Sequence, residues 1–167
     1  MGLVEQYERE KYRELWSTLS YRGPSAISYG NYLAERIHGT CIDLGCGDCT
    51  TMNILKNLDI WGIDIVTDQC LPGFRVVEGV LWDMPFMDKF FDFSFSTDVL
   101  EHIPTEYVRD VIEEIGRITK VKTFHYISTK PAVTTYKGEQ VHLTVKPPEW
   151  WEEMFMLSGI DHELKFW

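Results

Sequence analysis

Three sets of residues carry types and spacings that could do chemistry. The first is Asp43-Leu44-Gly45-Cys46-Gly47-Asp48, which ends an apolar run starting at Thr40, with Asp64 following at the end of the next such run. Glycines after a strand let the main chain approach a ligand closely, and a helix start beyond them offers free N–H groups. A carboxylate at the end of the next strand can accept both hydroxyls of a ribose. The second set is Asp98, Glu101 and His102, which share a face if a helical turn begins there, with His142 reaching in from a later loop. Carboxylates and imidazoles exchange protons near neutral pH or hold a divalent metal. The third set is Cys41, Cys46, Cys49 and Cys70, whose spacing matches plant-type iron–sulfur ligands. Cys41 lies inside an apolar strand, where its side chain faces away from its loop neighbours, so small buried thiols are the favoured reading.

The elements that must position these groups follow from hydrophobic periodicity. Val4 to Leu19 reads as an amphipathic helix with Tyr12, Leu15, Trp16 and Leu19 on one face. A second helix runs from beyond Ser25 to about Ile37. Short apolar runs then alternate with helices. Thr40–Leu44, Ile60–Ile65, Phe74–Glu78, Phe91–Ser96, Lys122–Ser128 and His162–Trp167 read as strands. Thr50–Leu58 and Thr105–Ile118 read as helices, the second with Val108, Val111, Ile112, Ile115 and Ile118 on one stripe. Pro147-Pro148 opens a last helix that stops at Gly159. Strands alternating with helices predict an α/β fold of three layers: a mostly parallel sheet with helices on both faces. Ligands bind such sheets at the carboxyl ends of the strands. Chemistry is therefore sought after Leu44, Asp64, Glu78 and Ser96.

Composition sets the bounds. At 167 residues the chain is the size of one domain, and 44% hydrophobic with 25% charged residues is ordinary globular usage. The formal net charge of −10 repels phosphate backbones, and no basic stripe offsets it, so nucleic acid is disfavoured as a partner. No apolar run of about 18 residues and no signal-peptide core is present, so no membrane span is expected. Gln6 stands where myristoylation after Gly2 wants Ser or Thr. Four cysteines without a secretory signal read as reduced thiols in a cytoplasmic protein.

The glycine loop also selects among nucleotides. A dinucleotide fingerprint wants a further glycine where Thr50 stands, and a carboxylate at Asp43 suits a cationic amine better than a pyrophosphate. Both details favour S-adenosylmethionine (SAM). The residues Asp43-Leu44-Gly45-Cys46-Gly47-Asp48, Gly62-Ile63-Asp64, Pro85-Phe86, and Phe91-Asp92 through Val99-Leu100-Glu101-His102-Ile103-Pro104 resemble class I, Rossmann-like SAM-dependent methyltransferases. The match runs from about Thr40 to Ser128 in the family's order. His142-Leu143-Thr144 with Trp150-Trp151 resembles the segment after the family's fifth strand.

The resemblance implies a single methyltransferase domain over residues 1–167, with 1–39 as helices and lid and 40–167 as the sheet core. It implies SAM as cofactor, S-adenosyl-L-homocysteine as product, and Asp43, Gly45, Cys46, Gly47, Asp64, Ile65, Leu81, Trp82, Thr97 and Asp98 around the cofactor. Arg22 is a further candidate, for the methionyl carboxylate. Tyr21, Arg22 and Tyr29 fall where the family often folds a lid. Three departures stand out: Cys49 replaces a loop glycine, Val80 stands where an acid often meets the adenine amine, and only one strand follows the last helix. Six strands are therefore expected, with a shortened C-terminal end.

The implied reaction moves a methyl group to an oxygen or nitrogen of a small-molecule acceptor. His102 is the first candidate base, His142 the second, and Asp98 a positioning group. Asp98, Glu101, His102 and His142 also resemble the metal set of metal-dependent RNA 3′-terminal 2′-O-methyltransferases and of ubiquinone-biosynthesis O-methyltransferases, although Leu-Glu-His occurs widely in the superfamily without metal. The alternatives are thus a metal-assisted O-methyltransferase and a SAM-binding subunit without catalysis. Monomer and homodimer both remain open, the latter through a sheet edge.

Overall fold

The computed structural model describes residues 2–18 and 25–167. Two helices come first, α1 (Leu3–Trp16) and α2 (Ser25–Ala34). They are followed by β1 (Thr40–Leu44), α3 (Thr50–Ile54), β2 (Asp59–Asp64), β3 (Arg75–Glu78) and β4 (Phe91–Thr97). The chain continues through α4 (Val108–Ile118), β5 (Thr119–Ile127), a hairpin of β6 (Thr135–Tyr136) and β7 (Glu139–Gln140), α5 (Pro148–Ser158) and β8 (His162–Phe166). Six strands form one sheet in the order β3-β2-β1-β4-β5-β8. Every neighbouring pair is parallel, so the sheet is wholly rather than mostly parallel. The last strand pairs directly with β5, Thr123 opposite His162.

The alternation of side chains along β1 divides the core. Ile42 and Leu44 face the layer of α4 and α5, packing with Val111, Ile115, Trp151 and Phe155. Cys41 faces the layer of α2 and α3, with Leu33, Met52, Phe93 and Phe95. All five residues of the α4 stripe are buried, each contributing about 1.5–3 kcal/mol from the apolar surface it removes from water. Gly159, at φ 72, ends α5 in the left-handed conformation that turns the chain into β8. His125, in β5 with β4 and β8 on either side, is fully buried. Its two ring nitrogens meet the Ser96 and Thr123 hydroxyls, both at 2.7 Å, and burial pushes it down to about 3, so it is a neutral structural group.

Local differences from the sequence reading have physical causes. The helix expected over Thr50–Leu58 is five residues long, because the chain turns at Leu55 to enter β2. The helix expected from Thr105 begins with a tighter turn, Thr105–Tyr107, before α4. The strands of the β6–β7 hairpin are two residues each, too short to give a periodic signal in the sequence. Leu19 lies outside the described residues. Glu8 and Lys11 of α1, charged and therefore expected in solvent, are buried as an ion pair with Nζ 2.5 Å from the carboxylate.

Candidate active site

The carboxyl ends of β1, β2 and β4 open into a cavity of about 1160 Å³. Its first wall is the glycine loop. The Gly45 and Cys46 amides donate to the Ile63 carbonyl (2.8 and 3.1 Å), so the loop continues the pairing of β1 with β2 before turning away. Gly45 has φ 72, and a Cβ there would lie 2.6 Å from both methyls of Val99. Gly47 has φ 53, and a Cβ there would lie 2.8 Å from the Trp16 ring. Both positions thus need glycine for conformation and for space. Asp64 holds the loop in place, its Oδ2 accepting from the Gly47 amide (2.8 Å) and its Oδ1 from the Val66 amide (3.1 Å). Burial raises Asp64 to about 6, against the pull of those two amides.

Asp43, 2% exposed at the end of β1, also faces the cavity. Burial pushes its carboxyl well above the usual range, and the neighbouring negative charges of Asp64 and Asp48 add to the effect. A cationic ligand group beside it would reverse both contributions. This buried acid and the cradle that a Cβ would fill fit SAM, whose ammonium and ribose are the groups they would meet. On the far wall Leu81 and Trp82 follow β3, with Trp82 stacked on Tyr107 at 4.6 Å between ring centres. Thr97 at the end of β4 lines the cavity with a buried Oγ1 that has no hydrogen-bond partner among the described residues.

The third wall joins two loops. The Thr144 amide donates to the Glu101 carbonyl (2.9 Å), and its hydroxyl donates to the Ile103 carbonyl (2.7 Å). This docking of the loop after β5 onto the turn after β4 brings His142 to His102, rings edge to face with centres 4.6 Å apart. His102 Nδ1 lies 3.0 Å from the Val141 carbonyl and His142 Nδ1 lies 2.6 Å from the Lys130 carbonyl. A carbonyl only accepts, so each Nδ1 carries a proton, and in the neutral ring of His102 this leaves Nε2 a lone pair. Burial, with His142 and Lys11 adding to it, pushes His102 down to about 3, so its ring is neutral. Glu101 is fully buried. Its Oε1 accepts from the Ser128 amide (3.0 Å), and its Oε2 has no partner among the described residues. Burial, and next the charge of Asp98, raise Glu101 to about 8.

The structure therefore gathers Asp43, Gly45, Cys46, Gly47, Asp64, Ile65, Leu81, Trp82, Thr97, Asp98, His102 and His142 around one cavity. Arg22 and Tyr21 lie outside the described residues. Three expectations change. First, Asp98 does not join Glu101, His102 and His142, whose ligand atoms lie within 4.8 Å of one another. At φ 54 it turns toward the Trp167 indole N–H (2.7 Å) and the Ser25 hydroxyl, both of which it accepts from. Second, the ordinary histidine pKa that recommended His102 as base is not kept once the ring is buried. Third, Tyr29 is not a lid residue: it is buried in α2, stacked on Tyr32 and Tyr126. Among the described residues, α1 lines the cavity through Glu8, Tyr12 and Trp16, and the start of α2 lines it through Ser25 to Ser28. Those residues and Trp167 were missed as site residues, because an amphipathic helix signals a buried face without signalling what it is buried against.

Comparison with known proteins places the chain in a family and a fold. The family described as "Methyltransferase domain" matches residues 42–127, from β1 to the end of β5. Squalene methyltransferase 1 of Botryococcus braunii is 32% identical over 109 residues, 54% of this chain but 28% of that protein. The chain thus spans less than a third of that curated relative. A SAM-dependent methyltransferase from Archaeoglobus fulgidus shares the fold at a TM-score of 0.63 and 16% identity, over 95% of this chain and 74% of that one. The YcgJ protein of Bacillus subtilis does so at 0.62 and 17%, over 80% and 67%.

Proposed function

The chain belongs to the methyltransferase-domain family, and from that premise we propose that it transfers a methyl group from SAM to an oxygen or nitrogen of a small molecule. The observation that carries this reading is the single cavity shared by the glycine loop, Asp64 and the His102–His142 pair. In this reading residues 1–167 act as one methyltransferase unit, with α1 as its cover. SAM supplies an activated methyl group and a neutral leaving group. Asp43 meets the methionyl ammonium, and Asp64 uses its remaining lone pairs for the ribose hydroxyls. Leu81 and Trp82 flank the adenine, and Val80 in place of an acid leaves its amine to other contacts. Cys46, Ile65, Thr97 and Asp98 complete the surround, and α1 excludes water from the reacting atoms.

The acceptor proton goes to an imidazole Nε2. His102 and His142 both present one, and the burial that depresses His102 makes His142, on the more open side, the favoured acceptor. Lys130 lines the cavity and would meet an anionic acceptor in this scheme. The protein works in the cytoplasm as a monomer or homodimer.

A thermal-shift titration with SAM, S-adenosylhomocysteine and NAD⁺ tests the cofactor. Ligand at a hundred times its dissociation constant adds about 2.7 kcal/mol, a shift of about 5–10 °C for a domain of this size. The adenosyl ligands should give it and NAD⁺ should not. Transfer of labelled methyl to any acceptor then separates an enzyme from a SAM-binding subunit, which would show the shift without turnover.

A second reading is favoured by one observation: the Glu101 Oε2, without a partner among the described residues, beside two imidazole rings. Glu101, His102 and His142 fit a divalent cation, each imidazole being fixed through Nδ1 as metal-bound histidines usually are. Such an ion would supply Lewis-acid polarisation of the acceptor oxygen. Calorimetry with Mn²⁺, on wild type and Glu101→Gln, tests this: one site lost in the variant supports it, and no heat in the wild type refutes it.

A further inference from the structure

A second group of ligating side chains stands behind the glycine loop, away from the histidines. Cys46 and Cys49 come from the loop between β1 and α3, and Cys70 from the loop after β2. Their three sulfurs lie within 4.8 Å of one another. Cys41, inside β1, is not among them, so the four-cysteine iron–sulfur arrangement suggested by spacing is not formed.

Several features build this group. The Cys49 amide donates to the Cys46 carbonyl (2.9 Å), and Gly47 and Cys49 both adopt positive φ, 53 and 66, so the loop doubles back and aims both sulfurs the same way. The Cys70 thiol, partly exposed, donates to the Gly47 carbonyl at 3.1 Å and pins the second loop onto the first. Gly62 of β2 leaves the space: a Cβ there would lie 2.8 Å from both the Cys46 sulfur and the Met52 thioether sulfur. The nearby Asp64 carboxylate is occupied by the Gly47 and Val66 amides. The donors are thus sulfur alone, three thiols with a thioether alongside, a set that selects soft ions and rejects magnesium, calcium and manganese. An ion with bonds of about 2.3 Å to sulfur holds its sulfurs about 3.8–4.0 Å apart. The group needs to contract by no more than about an ångström to reach that spacing.

We propose that Cys46, Cys49 and Cys70 bind one thiophilic d10 cation, Zn²⁺ or Cu⁺, through three sulfur ligands. Each thiol that ligates releases its proton to solvent, a sulfur–metal bond replaces each S–H bond, and no electron is transferred. The ion ties the glycine loop, which carries Gly45 and Gly47, to the segment that begins at Asp64. It preorganises both sides of the cradle described above, while the site itself stands whether or not that cradle holds SAM. By linkage, an ion that tightens a ligand in the cradle is itself bound tighter when the ligand is present.

The test uses the full chain, kept reduced with a phosphine and stripped with a chelator. Cobalt(II), the spectroscopic probe for the zinc arm, should give a thiolate-to-cobalt charge-transfer band that saturates at one ion per chain and bleaches with one equivalent of Zn²⁺. In the copper arm, the chain should retain one Cu⁺ against a competing Cu⁺ chelator. Cys70→Ser, at a partly exposed position that leaves the core intact, should weaken either arm at least about tenfold, by analogy with the 10–100-fold cost of losing even an outer partner. His142→Ala should keep the band, which separates this site from the Glu101 group. A one-to-one site in either arm, lost in Cys70→Ser and kept in His142→Ala, supports the proposal. Failure of both arms in the wild type, or a full band in Cys70→Ser, overturns it.

Discussion

Gly45→Ala tests the geometry of the glycine loop most directly. Two costs add. The residue sits at φ 72, and an L side chain in the left-handed region costs about 1–2 kcal/mol. The new methyl would stand 2.6 Å from Cγ1 and Cγ2 of Val99 and 3.2 Å from its Cβ. A branched side chain met on both methyls cannot rotate away, and overpacking of this kind costs about 1–3 kcal/mol. The total of about 2–5 kcal/mol is a large share of an ordinary domain's stability of about 5–15 kcal/mol. At about 2–4 °C per kcal/mol for this size, thermal unfolding followed by circular dichroism should fall by about 4–20 °C. Val99→Ala in the Gly45→Ala background should recover the steric part and leave the conformational part, a coupling readable in a double-mutant cycle. A single variant as stable as wild type, or a cycle with no coupling, would refute the argument that Gly45 is required by Val99 and by its backbone.

Other perturbations probe the remaining walls. Asp64→Ala should weaken SAM in calorimetry and also loosen the loop, because two amides lose their acceptor; unaltered affinity would contradict the ribose assignment. His142→Ala should keep SAM binding and lower turnover, and unchanged turnover would remove it from the chemistry. Glu101 is raised to about 8 in the folded state from an ordinary carboxyl value, so its contribution favours folding at low pH and is lost as pH climbs from about 4.5 to 8. In chelator, Glu101→Gln should therefore gain stability over wild type across that window in denaturant titrations, while the two converge near pH 4; parallel profiles would refute the buried, neutral carboxyl. Trp16→Ala should raise the SAM dissociation constant by uncovering Gly47, and an equal affinity would show that α1 is not a functional cover.

Much of this protein was legible in its sequence because the signals are local. A strand buried on both faces is an apolar run, so β1 and β4 were found to within a residue or so. A helix covering a sheet shows a 3.6-residue stripe, as α4 does. A turn that needs positive φ shows glycine, as at Gly45 and Gly47. The parallel arrangement follows from the alternation of strands and helices, and it places Asp43, Asp64, Thr97 and His102 at one end of the sheet.

What the sequence could not supply was the partner of each long-range contact. Periodicity records that a face is buried and is silent on what buries it. Asp98 has the spacing to join Glu101 and His102, yet it turns to Trp167 and Ser25, residues from opposite ends of the chain that only the folded sheet brings to it. His142 reaches His102 because Thr144 docks on Glu101, a contact across two loops. Glu8 and Lys11 look solvated in sequence, and neutralise each other in the buried seam where α1 crosses the cavity. Burial, likewise a property of the fold, sets the charge on Asp43, Glu101 and His102 through the cost of removing an ion from water. The sequence determined the scaffold and its reactive end; the tertiary structure decided which side chains meet there and in what protonation state, because solvation and proximity are set by residues far apart in the chain.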